Sequence, residues 1–340
     1  MDMRYYSIEL EIKKFIKLTS RITMMVFVIS IPSSKKVYVI IETPQKKYQT
    51  EDPVMARNTV LSWDVDGVFL SYNSGFDEKD RFQEYFSAFE DYVMNTGFIV
   101  DAFGQYYGSY TAPACTARED KEGWIDPYLI YKNGINFDVN ERYRSLLDNL
   151  SNHLNRLSWE RGRILFDHIR YPQGGAYCPN CSTSTWQNHI YNVTQATFRV
   201  ADYLSTNTGM NSSEFGAVMH PPRNSSQTTC CQAWNVGQAY DDGKGLTAPL
   251  GFSAMRLYYI PREDYIWWMY NLATKNDSYN GYSTNGTKKE LFILLSTYPR
   301  TYRYYIELQQ VVYDALEYFD GVVFWEYQSL KNNFGGIKRV

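Results

Sequence analysis

Three apolar runs in this chain open on glycine and close, five positions later, on a polar side chain: Gly67 to Tyr72, Gly162 to Asp167 and Gly321 to Glu326. Two further runs end alike, Gly97 to Asp101 and Phe215 to His220. An ionised carboxylate at the end of a buried strand is costly unless it is paired or hydrated. Several acids converging at strand ends therefore suggest chemistry. Cleavage of a glycosidic bond needs such equipment: one carboxylic acid protonates the departing oxygen, and a second carboxylate attacks the anomeric carbon or activates water. Asp167 and Glu326 are the catalytic candidates, with Asp101 and Asp264 behind Glu326 as choices for the second acid. Trp63, Tyr72, Tyr106, Tyr107, Tyr171, Trp186 and Trp325 could offer apolar faces to sugar rings. Asp101 and His220 join the substrate-binding candidates. The competing reading makes the acids ordinary rim ion pairs and the aromatics core or rim residues.

The elements that must hold these residues alternate. Val37–Ile41, Gly67–Tyr72, Gly97–Asp101, Gly162–Asp167, Phe215–His220, a stretch within Gly251–Ile260, Leu291–Leu295 and Gly321–Glu326 read as eight strands. Helical periodicity falls between them: Asp77–Val93 with Phe82, Tyr85, Phe86, Phe89 and Val93 on one face, then Val139–Leu157, Trp186–Leu204, Asp264–Leu272 and Tyr302–Phe319. Strands that are apolar throughout belong to a parallel sheet covered on both faces. Eight such units within about 300 residues fit a closed (β/α)8 barrel, an α/β TIM barrel with enlarged loops after strands three, four and five. The competitor is an open, doubly wound sheet. In a barrel the strand-end residues gather on the carboxyl-end face, where active sites lie. No glycine-rich nucleotide loop or phosphate loop occurs, and no cofactor is expected.

Arg163-Ile-Leu-Phe-Asp-His-Ile-Arg-Tyr-Pro172 resembles the Phe-Asp-x-Ile-Arg-Tyr-Pro signature of a glycoside hydrolase-like family with amylase-like TIM barrels. Gly123-Trp-Ile-Asp-Pro127, followed by the 139–157 helix, resembles that family's Trp-x-Asp-Pro segment, so the resemblance covers about residues 123–172. It implies a carbohydrate substrate and an extracytoplasmic setting. By similarity Asp167 is the central carboxylate, Arg170 orients it or binds substrate, and Tyr171 and Pro172 complete the motif. Arg161-Gly162 stands where the family has Asp-Gly, and His168 replaces an aromatic or Asp, which leaves the sugar open. A degenerate barrel that binds glycans without cleaving them, or a surface or virion-associated structural protein, would carry the same residues. A polysaccharide esterase is a third reading, without an identifiable nucleophile or metal site.

Cys178, Cys181, Cys230 and Cys231 fall in the loops after strands four and five. Two disulfides stapling those loops, a zinc site and free thiols are the three readings, with the disulfides preferred; Cys115 would remain unpaired. At the amino end Lys13, Lys14, Lys17 and Arg21 precede the apolar run Ile22–Ile31, and Pro32-Ser-Ser34 follow, the order of a secretory signal. On that reading residues 1–34 are a signal or extension and 35–340 a single barrel domain. The alternative is a helix followed by a buried strand. Seven sequons (Asn149, Asn180, Asn192, Asn211, Asn224, Asn276 and Asn285) fit a secreted or cell-surface protein. The apolar run is too short to span a bilayer, so no transmembrane helix is expected. With 34 Lys+Arg against 37 Asp+Glu there is no global positive charge for nucleic acid, and the expected partner is a carbohydrate. The 31 tyrosines suit cores, sugar clefts and interfaces alike.

Overall fold

The computed structural model describes residues 28–43, 51–72, 81–92, 94–103, 130, 134–135, 141–157, 161–167, 183–219, 250–256, 290–297 and 305–340. Eight parallel strands close into a barrel. They are β2 (Lys36–Ile41), β3 (Gly67–Tyr72), β4 (Asn95–Asp101), β5 (Arg161–Asp167), β6 (Phe215–Met219), β7 (Phe252–Arg256), β8 (Glu290–Ser296) and β9 (Gly321–Trp325). They correspond, in order, to the eight strands read from the sequence. Six α-helices occur among the described residues: α1 (Pro53–Ser62), α2 (Phe82–Phe89), α3 (Glu141–Arg156), α4 (Thr183–Thr208), α5 (Tyr305–Leu316) and α6 (Tyr327–Phe334). The fold is an α/β (β/α)8 TIM barrel. The connections after the third, fourth and fifth barrel strands run largely through residues outside the described set, as does Asp264.

Strand residues alternate between two cores, because successive side chains point to opposite faces of a sheet. Val39, Ile41, Leu70, Tyr72, Ile164, Phe166 and Phe324 join the helices in the outer layer. Tyr38, Ile40, Phe69, Ile99, Leu165, Val218, Phe252, Ala254, Phe292, Leu294 and Val323 fill the barrel itself. The interior is ring-rich, with Tyr38 edge-on to Phe292 at 5.5 Å and Phe252 edge-on to Phe292 at 5.9 Å. Glycine makes room for these rings: a Cβ on Gly216 would lie 2.3 Å from Phe252. Gly216→Ala is therefore expected to cost about 1–3 kcal/mol through overpacking, read as a lower urea midpoint with unchanged slope.

Below the apolar plug the amino end of the barrel is closed by charge. Glu290 accepts from Lys36 and is ion-paired with Arg163, whose guanidinium lies 5.1 Å from the Phe252 ring centre. Burial by itself would raise the Glu290 carboxyl, but its bonds to Lys36 and Arg163 outweigh that and hold it below the ordinary range.

A second, two-stranded sheet stands outside the barrel. β1 (Ile29–Ile31) pairs in parallel with β10 (Ile337–Arg339), Ile29 opposite Ile337. Gln309 of α5 caps the middle of β1 from the side: its amide oxygen accepts from Ser30 N at 3.0 Å and its amide nitrogen donates to Ser30 O at 3.2 Å. Arg339 donates to Asp66, Asp64 O and Lys35 O. Residues 29–31, part of the extension on the signal-type reading, thus form a buried strand of the folded body. The residues before 28 lie outside the described set.

Candidate active site

At the carboxyl end of the barrel the inward faces turn polar. In β5 the inward residues are Arg163, Leu165 and, by the same two-residue period, Asp167, which is 3% exposed. In β4 Ile99 faces inward and Asp101 follows it. Asp101 and Asp167 are register partners on adjacent strands, and Ala102 N donates to Asp167 O at 3.1 Å. In β7 the inward series Phe252, Ala254 ends on Arg256. The Arg256 guanidinium sits 5.7 Å from the centre of the Trp325 ring. Trp325 packs on the interior cluster and is half-buried, so it forms part of the floor of the mouth. Buried Ser71 and Ser296 complete the polar layer on β3 and β8.

Glu326 follows Trp325 through a cis peptide and is 5% exposed. It caps α6: Oε1 accepts from Ser329 N at 2.7 Å and Oε2 from Gln328 N at 3.2 Å. Its backbone is held by Thr297, whose hydroxyl accepts from Glu326 N at 3.0 Å. A carboxylate in that position lies against the partial positive charge of the helix N-terminus. Both oxygens of this catalytic candidate are therefore engaged by the helix it starts.

One acid at the mouth was missed in the sequence. Glu42 lies one residue beyond β2 and continues the inward series Tyr38, Ile40. Burial, then the negative charge of Glu326, push its carboxyl up to about 7; Arg256 pulls the other way, and Asp167 adds to the rise. Those effects place Glu42, Asp167, Arg256 and Glu326 within one electrostatic neighbourhood, with Asp101 beside Asp167. The sequence carried only part of the signal, an acid immediately after an apolar run; that Glu42 continues the inward face is visible only in the closed barrel.

Trp63 and Tyr72 do not reach this mouth. Tyr72 ends β3, but its parity is that of Leu70, so it points outward and meets Phe82 edge-on at 4.8 Å. Trp63 is the C-cap of α1, and its buried ring lies 5.4 Å from that of Tyr327 in the helical layer. Equal spacing from a glycine misleads here: Gly67 shares the inward face with Phe69, whereas Gly162 sits one residue before inward Arg163. Five residues on, the first series ends outward and the second inward. Arg170, Tyr171 and His220 lie outside the described residues, as do Tyr106, Tyr107, Cys115, Cys178, Cys181, Cys230 and Cys231. Among the described residues no group of three His, Cys, Asp or Glu side chains could hold a metal ion, and no helix is long and apolar enough to cross a membrane.

The raised Glu42 carboxyl has a consequence for stability. Between about pH 4.5 and about 7 the folded chain keeps a proton that the unfolded chain gives up, so Glu42 destabilises the fold increasingly as pH rises through that window. Glu42→Gln is expected to stabilise the protein by about 1–3 kcal/mol at pH 8, with the gain vanishing near pH 4. Urea unfolding at the two pH values checks this, and equal effects at both would contradict it.

No family model and no curated protein sequence matches the chain. Solved structures resemble it in fold. The catalytic domain of β-amylase from Paenibacillus polymyxa aligns over 90% of this chain and 95% of its own, with 9% identity and a TM-score of 0.52. The family 1 β-glucosidase of Thermotoga maritima aligns over 88% and 89%, with 9% identity and a TM-score of 0.47. D-allulose 3-epimerase from Methylomonas sp. aligns over 91% of each chain, with 12% identity and a TM-score of 0.43. At such identities the likeness is one of architecture alone: the chain is a TIM barrel.

Proposed function

We propose that this protein is a glycoside hydrolase, cleaving glycosidic bonds by carboxylate acid/base chemistry at the carboxyl end of its barrel. The observation that carries the reading is the set of carboxyl groups at that end, Glu42, Asp101, Asp167 and Glu326, beside Arg256 and the half-buried ring of Trp325. Cleavage of an acetal requires a proton for the leaving oxygen and a negative charge near the anomeric carbon. A mouth that holds a carboxyl with a pKa near neutrality among other acids can meet both needs at one pH. Asp167 is the carboxylate assigned to the anomeric carbon, in keeping with the resemblance of residues 166–172 to the hydrolase signature. Trp325 offers an apolar face for a sugar ring. The architecture shared with β-amylase is compatible with this chemistry and does not by itself select it.

A second reading, a carbohydrate-binding protein on a hydrolase-like barrel, is favoured by one observation: Glu326 spends both carboxylate oxygens on the cap of α6. The two readings separate in one screen. The purified protein is incubated with a panel of polysaccharides and oligosaccharides, and both bound sugar and newly formed reducing ends are measured. The hydrolase reading predicts new reducing ends from at least one member. Binding without release from any of them supports the alternative.

A further inference from the structure

We infer that Glu42, and not Glu326, is the proton donor of the mouth: the carboxyl that hands its proton to the departing glycosidic oxygen. The inference rests on the hydrolase reading and deepens it. Its basis is geometric. Glu42 continues the inward face of β2 above Ile40, and Ile40 is the register partner of Trp325, so the carboxyl stands over the strand end that carries the proposed sugar platform. Glu326, on the same strand end, is turned into α6 and accepts two amide hydrogens there, at 2.7 and 3.2 Å. An acceptor already filled by N–H donors is a poor place for a transferable proton, and its charge works on its neighbour instead. Glu326 is thus a positioning residue that keeps Glu42 protonated from a distance.

Three charged groups act on Glu42. Glu326, at the end of β9, and Asp167, at the end of β5, favour the proton staying; Arg256, at the end of β7, opposes them. Asp101, the register partner of Asp167, adds a further acid to the same layer. Burial is the largest influence and the like charges add to it, bringing the carboxyl to about 7, where a general acid works best near neutral pH.

The step balances with water as the only co-reactant. The bond from the anomeric carbon to the glycosidic oxygen breaks, and its electron pair goes to that oxygen, which takes the proton of Glu42. Asp167, as carboxylate, supports the anomeric carbon. Water delivers its hydroxyl to that carbon, and its remaining proton restores the carboxyl set.

The test joins a titration to a leaving-group comparison. Full-length protein carrying glutamate labelled with carbon-13 at the side-chain carboxyl is titrated by NMR as wild type, Glu42→Gln and Glu326→Gln. The same proteins, with Glu42→Asp, are assayed on 2,4-dinitrophenyl and 4-methylphenyl glycosides of the common hexoses, pentoses and N-acetylhexosamines. One carboxyl is expected to titrate near neutrality in the wild type, to vanish in Glu42→Gln, and to move to lower pH in Glu326→Gln. Glu42→Gln should lose about 10²–10⁴-fold in kcat/KM on the 4-methylphenyl glycoside, whose leaving group needs a proton. The dinitrophenyl glycoside needs none and should lose less than about tenfold. Glu42→Asp, which restores a carboxyl, should regain part of the difference, a pattern that mere misfolding would not give. A near-neutral carboxyl that survives in Glu42→Gln, or an equal loss on both glycosides, overturns the inference. A near-neutral carboxyl lost in Glu42→Gln, in a wild-type protein that cleaves none of the glycosides, upholds the protonation of Glu42 and sinks the hydrolase reading.

Discussion

Asp167→Asn is expected to lower kcat/KM on a cleavable glycan by about 10³-fold or more while the barrel stays folded. Asp167 is the inward end of β5, 3% exposed and set beside Asp101. Asparagine keeps its shape, removes the charge and turns one acceptor oxygen into a donor nitrogen. The loss should fall on both leaving-group classes, since support of the anomeric carbon is needed whichever oxygen departs. That separates it from the Glu42→Gln pattern. A variant with full activity, or one inactive only because it is unfolded, would remove Asp167 from the proposed chemistry.

The second large effect concerns the terminal sheet. A chain beginning at Lys35 loses β1, and with it the burial of Ile29 and Ile31 and the parallel pairing to β10. Each isoleucine is worth roughly 1.5–3 kcal/mol when buried. The Gln309 side chain also loses both of its bonds to Ser30. The truncated chain is expected to be about 3–5 kcal/mol less stable in urea than one beginning at Ile22. Equal midpoints would mean that β1 adds nothing to the fold. If a leader is removed from this protein, the same reasoning places the cut before Ile29 rather than at residue 34.

Much of the barrel is legible in the sequence, because a strand buried on both faces is a continuous apolar run. Gly67–Tyr72 is read to the residue, and the other seven strands lie within a few residues of their observed ends. What such runs hide is parity. When every residue is apolar, nothing marks which side faces the barrel, and Tyr72 is placed at the mouth although it belongs to the outer layer. The inward series can be recovered only through a residue that commits, as Arg163 does by pairing with Glu290 inside the barrel. Helix α1 escapes notice for a different reason. Its first apolar residues, Val54 and Met55, are exposed, and it is anchored by Ala56 and Val60. Its start is set by Asp52, which accepts from Val54 N and Met55 N ahead of Pro53. Asp167 was legible from residue type, position and motif together. Glu42 was not, since its raised carboxyl depends on Glu326 and Asp167, residues far away in the chain whose approach only the closed barrel creates.

The most direct measurement is a crystal structure of Asp167→Asn bound to an oligosaccharide that the wild type cleaves. The hydrolase account predicts the scissile glycosidic oxygen within hydrogen-bonding reach of the Glu42 carboxyl, the anomeric carbon facing position 167, and a sugar ring lying on Trp325. A sugar bound away from the carboxyl end of the barrel, or one whose glycosidic oxygen lies out of reach of the Glu42 carboxyl, would contradict it.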